Sequence, residues 1–275
     1  MLSQGVGLGL NWPEELRTSL RRRHDTTASL ESNPPRPHCL RAALHCAGST
    51  LSPSAFAVAP RPVRRQGGAA CADLFGAPPV TPVDIPLFPL NTVLFPGGPL
   101  NLRIFERRYL DMVRDCARSS AGFGVCMILH GNEVGEASVP AAVGTLAHIV
   151  DFYTLPDGLL GIRAEGGARF HVDSSRVRDN GLAHGVVNFW PAEPALSLPP
   201  EFSLLATILE RLLENGDGAF ASADRACFDD ASWVGFRLAE ALPLENRERQ
   251  HLLQMTDPLV RLGQLMHYLP RFQKP

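Results

Sequence analysis

Three histidines, His148, His171 and His184, stand in stretches rich in apolar and β-branched residues, with Asp151, Glu165 and Asp173 nearby in sequence. A hydrolytic or metal centre would need about three such groups to converge, imidazoles to move protons or hold an ion and carboxylates to orient them. Their spacing gives no sign of it. By period two His148 shares a strand face with Val150 and Phe152, the setting of a partly buried structural histidine. Cys126 lies between Val125 and Met127 with no neighbouring cation to activate a thiolate. The six cysteines, Cys39, Cys46, Cys71, Cys116, Cys126 and Cys227, form no C-x-x-C pair and have no His-x-x-x-His companion, so neither a zinc framework nor a disulfide scaffold is expected. Lys274 is the only lysine among the 26 basic residues. A phosphate-binding loop of the G-x-x-x-x-G-K-[ST] type and a Ser-Lys nucleophile pair both need a lysine in a context that Lys274, next to the last residue, does not have. No catalytic residue, metal or cofactor is therefore assigned.

The elements that would position any site begin near residue 85. Ile85-Pro86-Leu87-Phe88-Pro89-Leu90 is apolar but carries two prolines, which predicts an edge or barrel-rim strand. Val93-Leu94-Phe95 ends at the breaker Pro96-Gly97-Gly98-Pro99, and Leu100 to Phe105 is again extended. From Glu106 the period changes. Tyr109, Met112, Val113, Cys116 and Ala117 share one helical face, and Arg107, Arg108, Asp111, Arg114, Asp115 and Arg118 the other, so an amphipathic helix ends before Gly122. Phe123 to Leu129 reads as a buried strand. Val143 to Leu155 and Leu159 to Ala164 form a hairpin around Pro156-Asp157-Gly158. Glu165-Gly166-Gly167 breaks the second strand at a bulge or barrel corner, and Ala168 to Val177 and Ala183 to Trp190 add two more. After Pro191 the apolar spacing is helical. Four helices are predicted: around Phe202 to Leu212, Trp233 to Leu242 and Glu245 to Met255, and after the N-cap Asp257-Pro258.

Composition sets the outer limits. Of 275 residues, 45% are hydrophobic and 20% charged, which suffices for a sizeable core. No stretch approaches the roughly 18 apolar residues of a membrane span, and the reading is a cytoplasmic protein without a membrane partner. Residues 1–80 carry nine of the 26 basic and five of the 28 acidic residues, a net of +4 that leaves −6 for the remainder. Pro, Ser, Ala and Gly interrupt every apolar run there. This stretch is expected to be a disordered tail or to precede the true translation start, although a basic, acid-poor leader also suits a transit peptide. The fold class is α+β: residues 81–192 form a β-rich unit with one embedded helix, and residues 193–275 a helical subdomain of the same module.

The run Ile85-Pro86-Leu87-Phe88-Pro89-Leu90-Asn91-Thr92-Val93-Leu94-Phe95-Pro96-Gly97 resembles the first-strand pattern of the Lon protease amino-terminal domain family. Val143-Gly144-Thr145-Leu146-Ala147-His148-Ile149, the Leu155-Pro156-Asp157-Gly158 hairpin and Glu165-Gly166 with Arg169-Phe170 follow in the family's order. Ile104-Phe105-Glu106 and Arg108-Tyr109 resemble its free-standing bacterial members, with Arg107 where proline is usual. The resemblance covers roughly residues 84 to 269 and implies a PUA-like pseudo-β-barrel with a helical extension. It further implies binding of unfolded or tagged polypeptides, acting alone or beside a separate ATP-dependent protease, without the family's ATPase and protease parts.

For such binding the requirement is exposed apolar surface or a free strand edge. Phe88, Phe95, Phe105, Phe152, Tyr153 and Trp190 are the residues expected to line it, and core packing is the competing use for each. Two other classes stay open. PUA-like barrels often bind RNA, and Arg103, Arg107, Arg108, Arg114 and Arg118 would supply a basic face. Against nucleic acid, Asp111 and Asp115 interleave with those arginines and the ordered part is net negative. The remaining alternative is an enzyme built on the histidines and acids named first.

Overall fold

The computed structural model describes residues 81–133, 138–214 and 223–272; the stretch 1–80 and Lys274 lie outside the described residues. Six strands, β1 (Val83–Leu90), β2 (Pro99–Ile104), β3 (Phe123–His130), β4 (Val139–Thr154), β5 (Leu160–Val177) and β6 (Ala183–Phe189), form one sheet. Their order is β2-β5-β4-β3-β1-β6, and β6 also pairs with β5, which closes five strands into a ring with β2 attached outside it. This is the expected PUA-like pseudo-barrel. β1 and β3 are parallel, while the other recorded pairings are antiparallel. The parallel pair is possible because β2 and the helix α1 (Arg107–Ser119) lie between its strands, a crossover long enough to return the chain.

β1 is not an edge strand, contrary to its proline content. Val83 to Pro86 pair with β6 and Leu87 to Leu90 with β3, so the strand changes partner midway. Pro86 and Pro89 are three residues apart, and alternation of the backbone turns their missing N–H groups toward opposite flanks. Each proline thus sits where only one neighbour is paired. β5 makes a similar exchange on a larger scale. Its first part pairs with β2 and its last part with β6, while β4 runs along it from Leu160 to His171. The corner predicted at Glu165-Gly166-Gly167 is real, yet the strand bends there without breaking. At that bend the Gly166 N–H donates to the Gly98 carbonyl at 2.9 Å, and its own carbonyl accepts from the Gly97 N–H at 2.6 Å. A Cβ on Gly166 would lie 2.2 Å from the Phe95 carbonyl oxygen. Only glycine allows that approach.

Three apolar cores surround the sheet. Ile85, Leu87, Cys126, Phe170 and Val187 fill the ring. On one side α1 buries Tyr109, Met112, Val113 and Cys116 against Leu102, Ile104, Phe123 and Ile162. Each such side chain stabilises the packing by roughly 1.5–3 kcal/mol. On the other side lie α2 (Ser203–Glu214), α3 (Ala231–Ala241), α4 (Asn246–Gln254) and α5 (Pro258–Tyr268). Asp230 caps α3 by accepting from the Ser232 and Trp233 N–H groups, and Asp257 caps α5 just before Pro258. The core of these helices takes in Met127 and Val143 from the sheet and Val93 and Phe95 from the connection between β1 and β2, so the packing crosses the 192/193 boundary drawn from sequence.

A buried polar network pins the same seam. Glu193, in the connection after β6, accepts from Arg169 of β5 at 2.6 Å and forms a two-pronged pair with Arg261 of α5. Its second oxygen also accepts from the Ser232 hydroxyl at 2.6 Å. The guanidinium groups continue to the carbonyls of Leu252, Leu253 and Met255. They also lie over aromatic faces: Arg261 is 3.8 Å from the Phe236 ring centroid and Arg169 is 5.0 Å from that of Trp190. Burial pushes Arg169 down to about 10, opposed by Glu193, which leaves it charged at neutral pH.

Candidate polypeptide-binding surface

The six aromatic residues separate by burial. Phe95 is 1% exposed and packs 5.9 Å from the Phe236 ring; Phe88 is buried between Tyr109, at 4.0 Å, and Phe123, at 6.0 Å. For both, the expectation of a surface role is corrected: Phe88 of β1 is covered by α1, and Phe95, in the connection between β1 and β2, is covered by α3. Trp190 is half-buried and occupied by Arg169 and the helical core. Phe105, Phe152 and Tyr153 are 42%, 48% and 39% exposed.

Register places these three at one end of the sheet. Phe152 is opposite Ile162, which is opposite Leu102, and Tyr153 is opposite Gly161, which is opposite Arg103. Phe105 follows Ile104, the last residue of β2. Phe152 and Tyr153, adjacent in the strand, point to opposite faces. The Tyr153 ring lies directly on Gly161, where a Cβ would come within 2.3 Å of a ring carbon. The end of the sheet therefore carries aromatic rings on both faces.

Val150, 45% exposed, joins them, although its sequence marks it only as one more β-branched residue. The register slips between Ile149 and Asp151, leaving Val150 as the extra residue of a bulge. That slip has a second effect: His148 faces with Glu165, while Phe152 faces with Ile162, so the two are on opposite faces and not the same one. A bulge is invisible to period-two reasoning, because nothing in the alternation marks which residue is unpaired.

Charges around this end are compensated. Arg103 pairs with Asp157, and Arg163 lies 3.8 Å from Asp151. Three of the arginines of α1 are likewise matched, Arg107 to Asp111 at 3.7 Å, Arg108 to Glu106 at 2.9 Å, and Arg114 to Asp111 at 3.0 Å and Asp115 at 3.4 Å. Such pairs are the solvated face that the sequence pattern predicts, not a basic stripe.

The histidines are apart in the structure as well. His148 pairs across strands with Glu165; burial lowers the imidazole's pKa and raises the carboxyl's, against Arg237 and Arg163. His171 lies 3.2 Å from Asp173, which also accepts from Asn188. His184 lies 3.5 Å from Asp84. Among the described residues no group of three or more His, Cys, Asp and Glu side chains could hold a metal ion. Burial pushes the Cys126 thiol up to about 12 and the Cys116 thiol up to about 11, far from the thiolate needed for nucleophilic work. Among the described residues no helix is long and apolar enough to cross a membrane.

Comparison with known proteins agrees with this architecture. The family profile of the ATP-dependent protease La (LON) substrate-binding domain matches residues 84–271. A crystal structure of a Lon N-terminal domain protein from Xanthomonas campestris is 48% identical, with a TM-score of 0.58, covering 68% of this chain and 98% of that one. A LON peptidase N-terminal domain and RING finger protein of Schizosaccharomyces pombe is 25% identical over 227 residues, 69% of this chain and 46% of that protein. The chain thus spans less than half the length of this curated relative. A closed barrel with one helix in its crossover and a helical extension, matched over nearly all its described residues, makes this chain a member of the LON substrate-binding domain family.

Proposed function

We propose that this chain is a non-catalytic, cytoplasmic module that holds exposed apolar segments of unfolded or tagged polypeptides, alone or beside a separate ATP-driven protease. The observation carrying this reading is the aromatic end of the sheet, with Phe105, Phe152 and Tyr153 each more than a third exposed beside Val150. Exposed rings at a rigid sheet end give contact area at little entropic cost, and the paired charges around them leave no field for polyanions. The surface is also small. Four partly exposed side chains offer far less than the roughly 800 Å² per partner of a stable protein interface, which suits a short extended segment.

The test is a titration of the purified chain with permanently unfolded, carboxymethylated α-lactalbumin and, separately, with a structured RNA. Client binding that weakens about tenfold or more in the triple variant Phe105→Ser, Phe152→Ser, Tyr153→Ser, with the melting temperature little changed, is the expected result. Saturable RNA binding without client binding would overturn it, as would client binding indifferent to the triple variant.

A further inference from the structure

Gly161 lies inside β5, and a side chain of the neighbouring strand dictates its identity. Its backbone does not call for glycine, because the positive-φ glycines among the described residues are Gly97, Gly131, Gly158 and Gly181. Its cross-strand row is regular, with Tyr153 of β4 on one flank and Arg103 of β2 on the other. What it lacks is room. A Cβ built on Gly161 would lie 2.3 Å, 2.6 Å and 2.7 Å from Cε2, Cζ and Cδ2 of Tyr153, three consecutive carbons of one ring. A glycine inside a strand gives up side-chain packing and marks a place where another group comes close to the backbone. Here that group is the face of a phenol.

The ring seated in this way is not a core residue. Tyr153 stays 39% exposed, while Gly161 beneath it is buried. On the same face of the sheet, Arg103 pairs with Asp157, and one row further along Arg163 lies 3.8 Å from Asp151. Charges are matched in both pairs, so the ring is the apolar group between them. Phe152 is set differently: Ile162 stands opposite it, and its ring has no bare backbone to lie on. A ring resting on backbone meets a client already placed. A free one gives up rotamer freedom at the moment of binding, and affinity falls accordingly.

We propose that Gly161 is a positioning residue of the polypeptide-binding surface: by carrying no side chain, it seats the Tyr153 ring as a fixed, outward-facing contact for an apolar side chain of the client. Tyr153 touches the client, and Gly161 acts through it. That the partner is a polypeptide rests on the function proposed above. The rival use of the pair is purely structural, the ring covering a weak point of the strand. In that case a methyl group on Gly161 changes stability, and its effect on binding does not depend on whether the ring is present.

A double-mutant cycle on the full chain separates the two uses, with carboxymethylated α-lactalbumin as the probe and Gly161→Ala, Tyr153→Ser and the double variant as its corners. Gly161→Ala removes no apolar atom, yet it should weaken client binding about fivefold, and in the Tyr153→Ser background its effect should stay within about twofold. Binding by Gly161→Ala within about twofold of wild type, or an equal loss in both backgrounds, would overturn the inference. A second measurement needs no variant of Gly161. The chain has three tyrosines, so fluorine NMR of the 3-fluorotyrosine protein can follow Tyr153, assigned through Tyr153→Phe. Its line should be as broad as that of buried Tyr109 and should shift on client addition; the sharp line of a mobile ring, or no shift at saturation, counts against the seating. A neutral Gly161→Ala alongside a triple variant that loses the client sinks this inference alone. Client binding indifferent to the triple variant sinks the broader reading, and this one with it.

Discussion

Replacing Glu193 by alanine should destabilise the folded chain by about 3–5 kcal/mol, the usual cost of removing one member of a buried ion pair. The structure supports a value in that range. The side chains of Arg169, Arg261 and Glu193 are 5%, 0% and 6% exposed, so neither guanidinium has water to replace the carboxylate. Their positive charges also oppose each other, since Arg261 is one cause of the lowered pKa of Arg169. The carbonyls of Leu252, Leu253 and Met255 and the Phe236 ring remain, which keeps the loss from exceeding the range. For a folded unit of this size the melting temperature would fall by roughly 6–20 °C. Urea unfolding is the cleaner assay: the midpoint should drop with little change in slope, because the surface exposed on unfolding is the same. Glu193→Gln, keeping one acceptor oxygen, should fall between alanine and wild type. A Glu193→Ala protein within about 1 kcal/mol of wild type would refute the argument that this carboxylate locks barrel to helices.

Two further outcomes follow from local geometry. Gly166→Ala should destabilise by about 1–3 kcal/mol, because the added methyl meets the Phe95 carbonyl at 2.2 Å and backbone, not a flexible side chain, must move; a melting temperature equal to wild type would show that the bend relaxes freely. For His184, burial first and Arg178 next hold the pKa below 6.5, while Asp84 pulls the other way and Arg176 adds to the lowering. The unfolded chain therefore takes up the proton before the folded one as pH falls. Stability from this group is complete above the unfolded value of 6.5 and declines toward the lower folded value. His184→Asn should flatten the decline of unfolding free energy below about pH 6.5, and an unchanged slope would show that other groups set it.

Where the sequence spoke through local chemistry, the structure agrees. Asp257-Pro258 starts α5, Pro156-Asp157-Gly158 turns the hairpin with Gly158 at φ +83°, and Tyr109, Met112, Val113 and Cys116 are the buried face of α1. Each depends on a few neighbouring residues, so spacing alone reveals it. The exposed aromatics were only partly legible. Phe88 and Phe105 look alike in sequence, but α1 covers one face of β1 and leaves the end of β2 open.

By itself the sequence determined the elements and their order, because caps, turns and hydrophobic periods act over a few residues. Only the tertiary structure decided that β1 lies inside the sheet, that β5 bends without breaking, that Val150 bulges outward, and that Arg169, Glu193 and Arg261 meet. Those outcomes join residues tens of positions apart. They depend on which strand edges close the ring and which helix covers which face, and that is settled by how the whole chain packs.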